Sequence, residues 1–141
     1  MGEPPVSIRS IPLIAIALIL YAVMVLFFGE GVLQKPVLPE LPMPSGGKWQ
    51  MTWSDFIILI TLVLLFVEIV KATFTSSASL VDHGLSMLVF VACLLCFLLV
   101  KQMATSTFFL ITAATLIDVV AGYTIGIRVA KRDIGFGTGD G

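Results

Sequence analysis

Residues 105–129 read TSTFFLITAATLIDVVAGYTIGIRV, and the fold turns on how this stretch is read. Its length suits a helix crossing a bilayer, which needs about 20 apolar residues. One carboxylate, Asp118, stands near its middle. Steps of three, four and four place Thr115, Asp118, Gly122 and Gly126 on one helical stripe. A lone acid costs about 2.5–3.5 kcal/mol at the centre of a spanning helix, so the stripe is expected to face protein or water. Gly122 and Gly126 leave room for another backbone, either within one bundle or between subunits.

Composition carries the same reading to the whole chain. Of 141 residues, 58% are hydrophobic and 12% charged, and the mean hydropathy is +1.09. A soluble domain carries roughly twice that charge. The class is membrane, and the length suits one compact bundle. A net charge of −1 argues against a nucleic-acid partner. A single histidine excludes a His-based zinc site within one chain. No G-x-S-x-G, H-E-x-x-H or phosphate-binding glycine loop occurs. The expectation is therefore a non-enzyme with no cofactor, metal site or catalytic residue. Cys93 and Cys96 form a C-x-x-C pair inside FVACLLCFLLV. With no basic neighbour or second ligand pair, they read as small packing residues.

Four apolar runs follow one another, at about 11–28, 55–74, 80–100 and 105–129. The expected fold is all-α, an integral four-helix transmembrane bundle forming one domain over residues 11–130. Residues 1–10 make a short polar, cytoplasmic N-terminus. Ser10 and Pro12 offer a cap and a first turn to the first run, whose only polar side chain is that of Tyr21. That run is the one best suited to facing lipid. It is too long for a signal-peptide core and no A-x-A site follows it, so it reads as retained.

Residues 29–50 form a Pro-rich loop in which Pro36, Pro39 and Pro42 recur at the period of polyproline II. An extended strap, or a ligand for a proline-binding domain, fits that spacing. Trp49 and Trp53 bracket the next helix start as interface anchors. Ser54 or Asp55 is placed to cap it. The few residues between the third and fourth runs make these two antiparallel neighbours. Residues 131–141 read as a basic turn and a flexible Gly-rich tail.

Arg9, Lys71, Arg128, Lys131 and Arg132 collect on one side of the spans, and Lys35, Lys48 and Lys101 on the other. That bias sets both termini in the cytoplasm, with a bacterial inner (plasma) membrane as the expected setting.

Glu68 lies 13 residues beyond Asp55, as Asp118 does beyond Thr105. At 1.5 Å per residue both acids reach one level, below the bilayer centre. Lys71 follows Glu68 by three, and Asp82 and His83 start the third run closer to the inner surface. Glu68, Lys71, Asp118, Asp82 and His83 thus form a candidate polar column. In one reading the acids carry protons or cations and His83 passes protons to the cytoplasm. In the other, Lys71 neutralises an acid, Asp118 in particular, and the column is structural. The leading expectation is a small accessory or assembly subunit of a larger membrane complex. Its partners are the lipid bilayer and other membrane subunits, or further copies of itself. A proton- or cation-conducting unit built on the intramembrane carboxylates is the alternative.

Overall fold

A computed structural model describes residues 11–74 and 80–137, except the side chains of 80–82, 129–130 and 132–137. The expectations for residues 1–10, for the turn at 75–79, for residues 138–141 and for the Asp82 side chain lie outside the described residues.

The described residues form four α-helices: α1 (Ala15–Phe28), α2 (Trp53–Phe74), α3 (Leu80–Leu99) and α4 (Ser106–Gly137). Two of them, α2 over Trp53–Phe74 and α4 over Ser106–Arg128, are long and apolar enough to cross a membrane. Two shorter apolar segments, Ala15–Phe28 and His83–Leu99, accompany them.

The helix limits follow local chemistry. α1 starts later than the apolar run, because residues 12–14 form a turn held by Ala15 N–H to Pro12 C=O at 3.1 Å. At its other end Gly29 turns the chain with φ +82°, and its N–H closes on Val25 C=O at 2.8 Å. The cap of α2 is Thr52, one residue before the helix, and not Ser54 or Asp55. Asp55 N–H donates to Thr52 Oγ1 at 3.3 Å, and Thr52 N–H donates to Asp55 Oδ2 at 2.9 Å. This is a reciprocal capping box with Asp55 at its third helical position. α4 continues to Gly137, so the flexible tail expected from residue 131 is helical as far as it is described. An established helix gains one hydrogen bond per added residue, and 129–134 contains no glycine or proline to stop it.

The Pro-rich connection is folded rather than extended. A 3-10 turn, Glu30–Gln34, precedes a small antiparallel hairpin of β1 (Leu41–Pro42) and β2 (Lys48–Trp49), with Leu41 opposite Trp49. Gly46 supplies the turn at φ +88°, and Met43 N–H bonds to Gly47 C=O at 2.8 Å. Val37 N–H to Met51 C=O at 2.8 Å and Trp53 N–H to Lys35 C=O at 3.0 Å close the connection further. Pro42 is tolerated because a two-stranded ribbon has outward-facing positions that need no N–H donor. Lys48 and Glu40 pair across the ribbon at 3.6 Å, both well exposed.

α4 is the central helix, flanked by α2 and α3. Ser54 bonds Thr107 at 2.6 Å at one end, and the charge of Glu68 reaches Asp118 further along, so α2 and α4 run parallel. Phe97 packs on Phe109 and His83 lies against Gly122, so α3 is antiparallel to α4. The main core gathers Tyr21, Ile57, Cys93, Phe108 and Ile111, with Val32, Leu33 and Met103 sealing one end. Tyr21 is fully buried, against the expectation that its run faces lipid most freely. Its ring packs on Phe108 at 5.0 Å and its hydroxyl bonds Thr105 Oγ1 at 2.5 Å. A tyrosine with a hydroxyl partner in reach buries its ring at little cost.

The bundle has an apolar core that also takes in polar side chains, and an apolar surface. Thr61, Glu68, Thr107, Thr112, Thr115 and Asp118 are buried, whereas Ile19, Leu26, Leu62, Phe66, Leu88, Leu98, Phe109 and Val120 stand exposed. The buried hydroxyls are inexpensive because they bond backward along their own helices. Thr61 reaches Ile57 C=O at 2.7 Å, Thr112 reaches Phe108 C=O at 3.0 Å, and Thr115 reaches Thr112 C=O at 2.6 Å.

Candidate functional site

Below the apolar core, the facing stripes of α2, α3 and α4 bring charged groups together. Ile57, Thr61, Leu65 and Glu68 are the buried stripe of α2, spaced by four, four and three. The same spacing on α4 buries Ile111, Thr115 and Asp118. Both acids are carried into the interior because their stripes are the ones that pack.

Glu68 is 8% exposed and has two partners on one carboxylate oxygen. Its Oε1 accepts the Leu13 N–H at 2.7 Å, and Lys71 Nζ lies 3.7 Å from the same oxygen. The start of α1 has no side-chain cap of its own. The first N–H groups of any helix lack partners within it, and they carry the positive end of its dipole. Pro12, with no N–H, removes one donor, and the Glu68 carboxylate takes the next. Glu68 therefore works as a cap supplied to α1 by α2.

Asp118 is 5% exposed and differently placed. The Ser86 hydroxyl is within hydrogen-bonding reach of its carboxyl, and the charges of Glu68 and Lys71 both act on it. Its Oδ2 is buried with no hydrogen-bond partner. Among the described residues Lys71 forms its ion pair with Glu68, not with Asp118. The expectation that Lys71 neutralises Asp118 is corrected accordingly. With a spacing of three on one helix, Lys71 reaches Glu68 without crossing to α4.

His83 approaches from α3. Its ring stacks on Tyr123 with centroids 4.7 Å apart and planes at 20°. A Cβ built on Gly122 would come 3.4 Å from His83 Nδ1, about van der Waals contact, so the imidazole packs directly against Gly122. The close approach made by Gly122 is thus with α3 of the same chain. His83 Nε2 is buried and, like Asp118 Oδ2, has no partner. An unmade hydrogen bond at a buried polar atom costs about 1–3 kcal/mol.

Five residues expected to form one column thus fall into separate groups. Glu68 and Lys71 are joined in the cap of α1. At the α3–α4 contact Asp118 is in reach of Ser86 of α3, and His83 packs on Gly122 and Tyr123. Asp82 begins α3, with its side chain outside the described residues. Gly126 is half-buried on α4, one turn beyond Gly122. Trp49 is exposed on β2, while Trp53 is half-buried, packs against the core and meets Phe56 edge-on at 5.7 Å. Cys93 is buried and Cys96 half-buried, both as free thiols.

Two participants were not evident from the sequence. The Leu13 N–H is a main-chain donor, which no residue type announces. Tyr21 carried a signal, as the lone hydroxyl of its run, and it meets Thr105 and the Gln102 C=O (3.3 Å) at the opposite end of the bundle. Among the described residues no group of three or more His, Cys, Asp or Glu side chains is placed to hold a metal ion. An apolar groove of about 180 Å³ between α2 and α4, lined by Ile58, Leu62, Leu110, Ala113 and Ile117 among others, brings no charged group. Comparison of the chain with protein families, with curated proteins and with solved structures gives no match.

Proposed function

We propose that the chain is a multi-pass membrane protein whose four helices all cross the bilayer, with both ends on the cytoplasmic side. In this reading it serves as a small, non-catalytic accessory or assembly subunit of a larger membrane complex. The observation that carries the proposal is the apolar surface of the bundle: large apolar side chains stand exposed on every helix, while Glu68 and Asp118 are buried. Such a surface is stable in hydrocarbon and is a liability in water. α1 is the shortest of the four α-helices, with a rise of about 21 Å for its 14 residues, so the membrane thins or the apolar turn of residues 11–14 completes the crossing. The subunit role draws on the hairpin connection, whose Leu38, Leu41 and Trp49 are exposed beyond the helix ends. Lipid headgroups or a neighbouring subunit would cover them.

One experiment tests both levels. Single cysteines at Gly46 and Thr138, in a Cys93→Ala, Cys96→Ala background, are labelled with an impermeant reagent, and the same protein is then purified in mild detergent. Labelling from opposite sides with co-purifying membrane proteins is the expected result. Labelling from one side rejects four spans, and a stable lone monomer rejects the subunit role.

A second reading has its own observation. Among the described residues Asp118 is buried with no ion-pair partner and with one oxygen lacking a hydrogen bond, which favours a proton- or cation-conducting unit over a purely structural acid.

A further inference from the structure

The groove between α2 and α4, about 180 Å³ in volume, lies away from every charged group named so far. Ile58 and Leu62 of α2 and Leu110, Ala113 and Ile117 of α4 line it. Steps of three and four set Ala113 between Leu110 and Ile117 on one face of α4, and its single methyl group leaves the space open. Leu62, Leu110 and Ile117 are exposed, so the groove is continuous with the apolar surface of the bundle. Thr61 is the one polar residue among the described residues that line it, and its hydroxyl already donates to Ile57 C=O at 2.7 Å. The groove therefore offers no polar group to an occupant. On α2 it begins five residues and ends twelve residues beyond Trp53, about 8–18 Å along the axis. With Trp53 at the interface, most of that depth falls in the leaflet on the hairpin side, whose hydrocarbon is about 15 Å deep.

We propose that this groove is a lipid site, holding one acyl chain of a phospholipid from the leaflet on the hairpin side. The inference rests on the membrane-spanning reading and goes beyond it by naming the occupant. Apolar walls reject water: a closed space of about 150 Å³ lined by Leu, Ile and Phe stays dry and takes up hydrocarbon instead. Thickness separates an acyl chain from a helix of another subunit. One helical turn, about 10 Å across and 5.4 Å long, has more than twice the volume of the groove, so a helix inserts a side chain there at most. An acyl chain is slim enough to enter along its length. Direction agrees, because α2 and α4 run parallel and the groove between them follows their axes, as acyl chains follow the bilayer normal. Lipid and protein surfaces are equally apolar, so the preference for this place comes from packing. Methylenes between two helices touch both walls, whereas on a single helix face they touch one. The site selects a hydrocarbon chain and leaves the headgroup unspecified.

The test uses the full chain in phosphatidylcholine nanodiscs, with a small fraction of the lipid carrying a photoreactive diazirine midway along one acyl chain. Cross-linked positions are read by peptide mass spectrometry. Ile19 of α1 and Val91 of α3, exposed on other faces of the bundle, report ordinary contact with lipid. The expected result is labelling concentrated on residues 58–65 and 110–117 over Ile19 and Val91. Ala113→Leu fills the groove and should abolish that excess while Ile19 and Val91 label as before. Equal labelling of all these positions in the parent overturns the proposal and keeps the membrane reading, whether or not the variant folds. Labels on Ile19 and Val91 with none in the groove show another occupant there and overturn it as well. An excess that survives Ala113→Leu does the same. Absence of label from every helix rejects the membrane-spanning reading itself, and the lipid site with it.

Discussion

Replacing Glu68 tests the distinction between the two buried acids most directly. Glu68→Ala removes the acceptor of a 2.7 Å hydrogen bond and leaves the Leu13 N–H unpaired at the start of α1. A hydrogen bond to a charged group contributes about 1.5–3 kcal/mol. The pair with Lys71, at 3.7 Å and with the lysine about one-third exposed, adds only about 0.3–0.5 kcal/mol. The expected loss is about 2–3.5 kcal/mol by these two terms. Glu68→Gln keeps a carbonyl oxygen for Leu13 and gives up the charge, so about 1 kcal/mol is expected. A double-mutant cycle then asks which acid Lys71 serves. Lys71→Met should couple more strongly to Glu68→Gln than to Asp118→Asn, because the ion pair is with Glu68. The assay is reversible unfolding in mixed micelles titrated with sodium dodecyl sulfate and followed by circular dichroism. Glu68→Ala as stable as the parent, or a stronger coupling of Lys71 to Asp118, would refute the assignment of Glu68 as the cap of α1.

Tyr21→Phe removes the hydroxyl that meets Thr105 at 2.5 Å and should cost about 0.5–1.5 kcal/mol in the same unfolding assay. The loss stays modest because Thr105 Oγ1 still accepts the Phe108 N–H at 3.2 Å. Asp118→Asn addresses conduction: in reconstituted liposomes the variant should remain folded and lose any proton flux that the parent carries. Parent liposomes as tight as empty ones, or a variant that leaks as the parent does, would end the conduction reading.

Much of the architecture was legible in the order of residues. Four apolar runs interrupted by Gly29, the Ser/Thr-rich residues 75–79 and Lys101 give four helices, because apolar length and helix breakers act locally. The stripe Thr115–Asp118–Gly122 was likewise legible, since a helix fixes which residues share a face. Local rules also misled at the edges. The proline period suggested an extended strap, yet Gly46 and the facing backbone groups of 35–53 fold it into a ribbon. The expected cap at Ser54 or Asp55 passed over Thr52, although the Thr-x-x-Asp spacing was in plain view. The Gly-rich end suggested a stop at 131, where helix propagation carried on to Gly137.

The sequence by itself determined which groups exist and, through helical periodicity, which of them face inward. It put two acids, a lysine and a histidine into the packed faces of apolar helices. Tertiary structure alone decided who meets whom. Periodicity is a property of one helix, whereas pairing depends on the crossing of several. The Leu13 N–H is 55 positions away from Glu68 in the chain, and only the crossing of α1 over α2 brings that donor to the carboxylate. With Glu68 holding both that N–H and Lys71, Asp118 has no ion-pair partner among the described residues and is in reach of Ser86 on α3. The stripe position of Gly122 gains its neighbour in the same way, because only the packing of α3 on α4 sets the His83 ring against it.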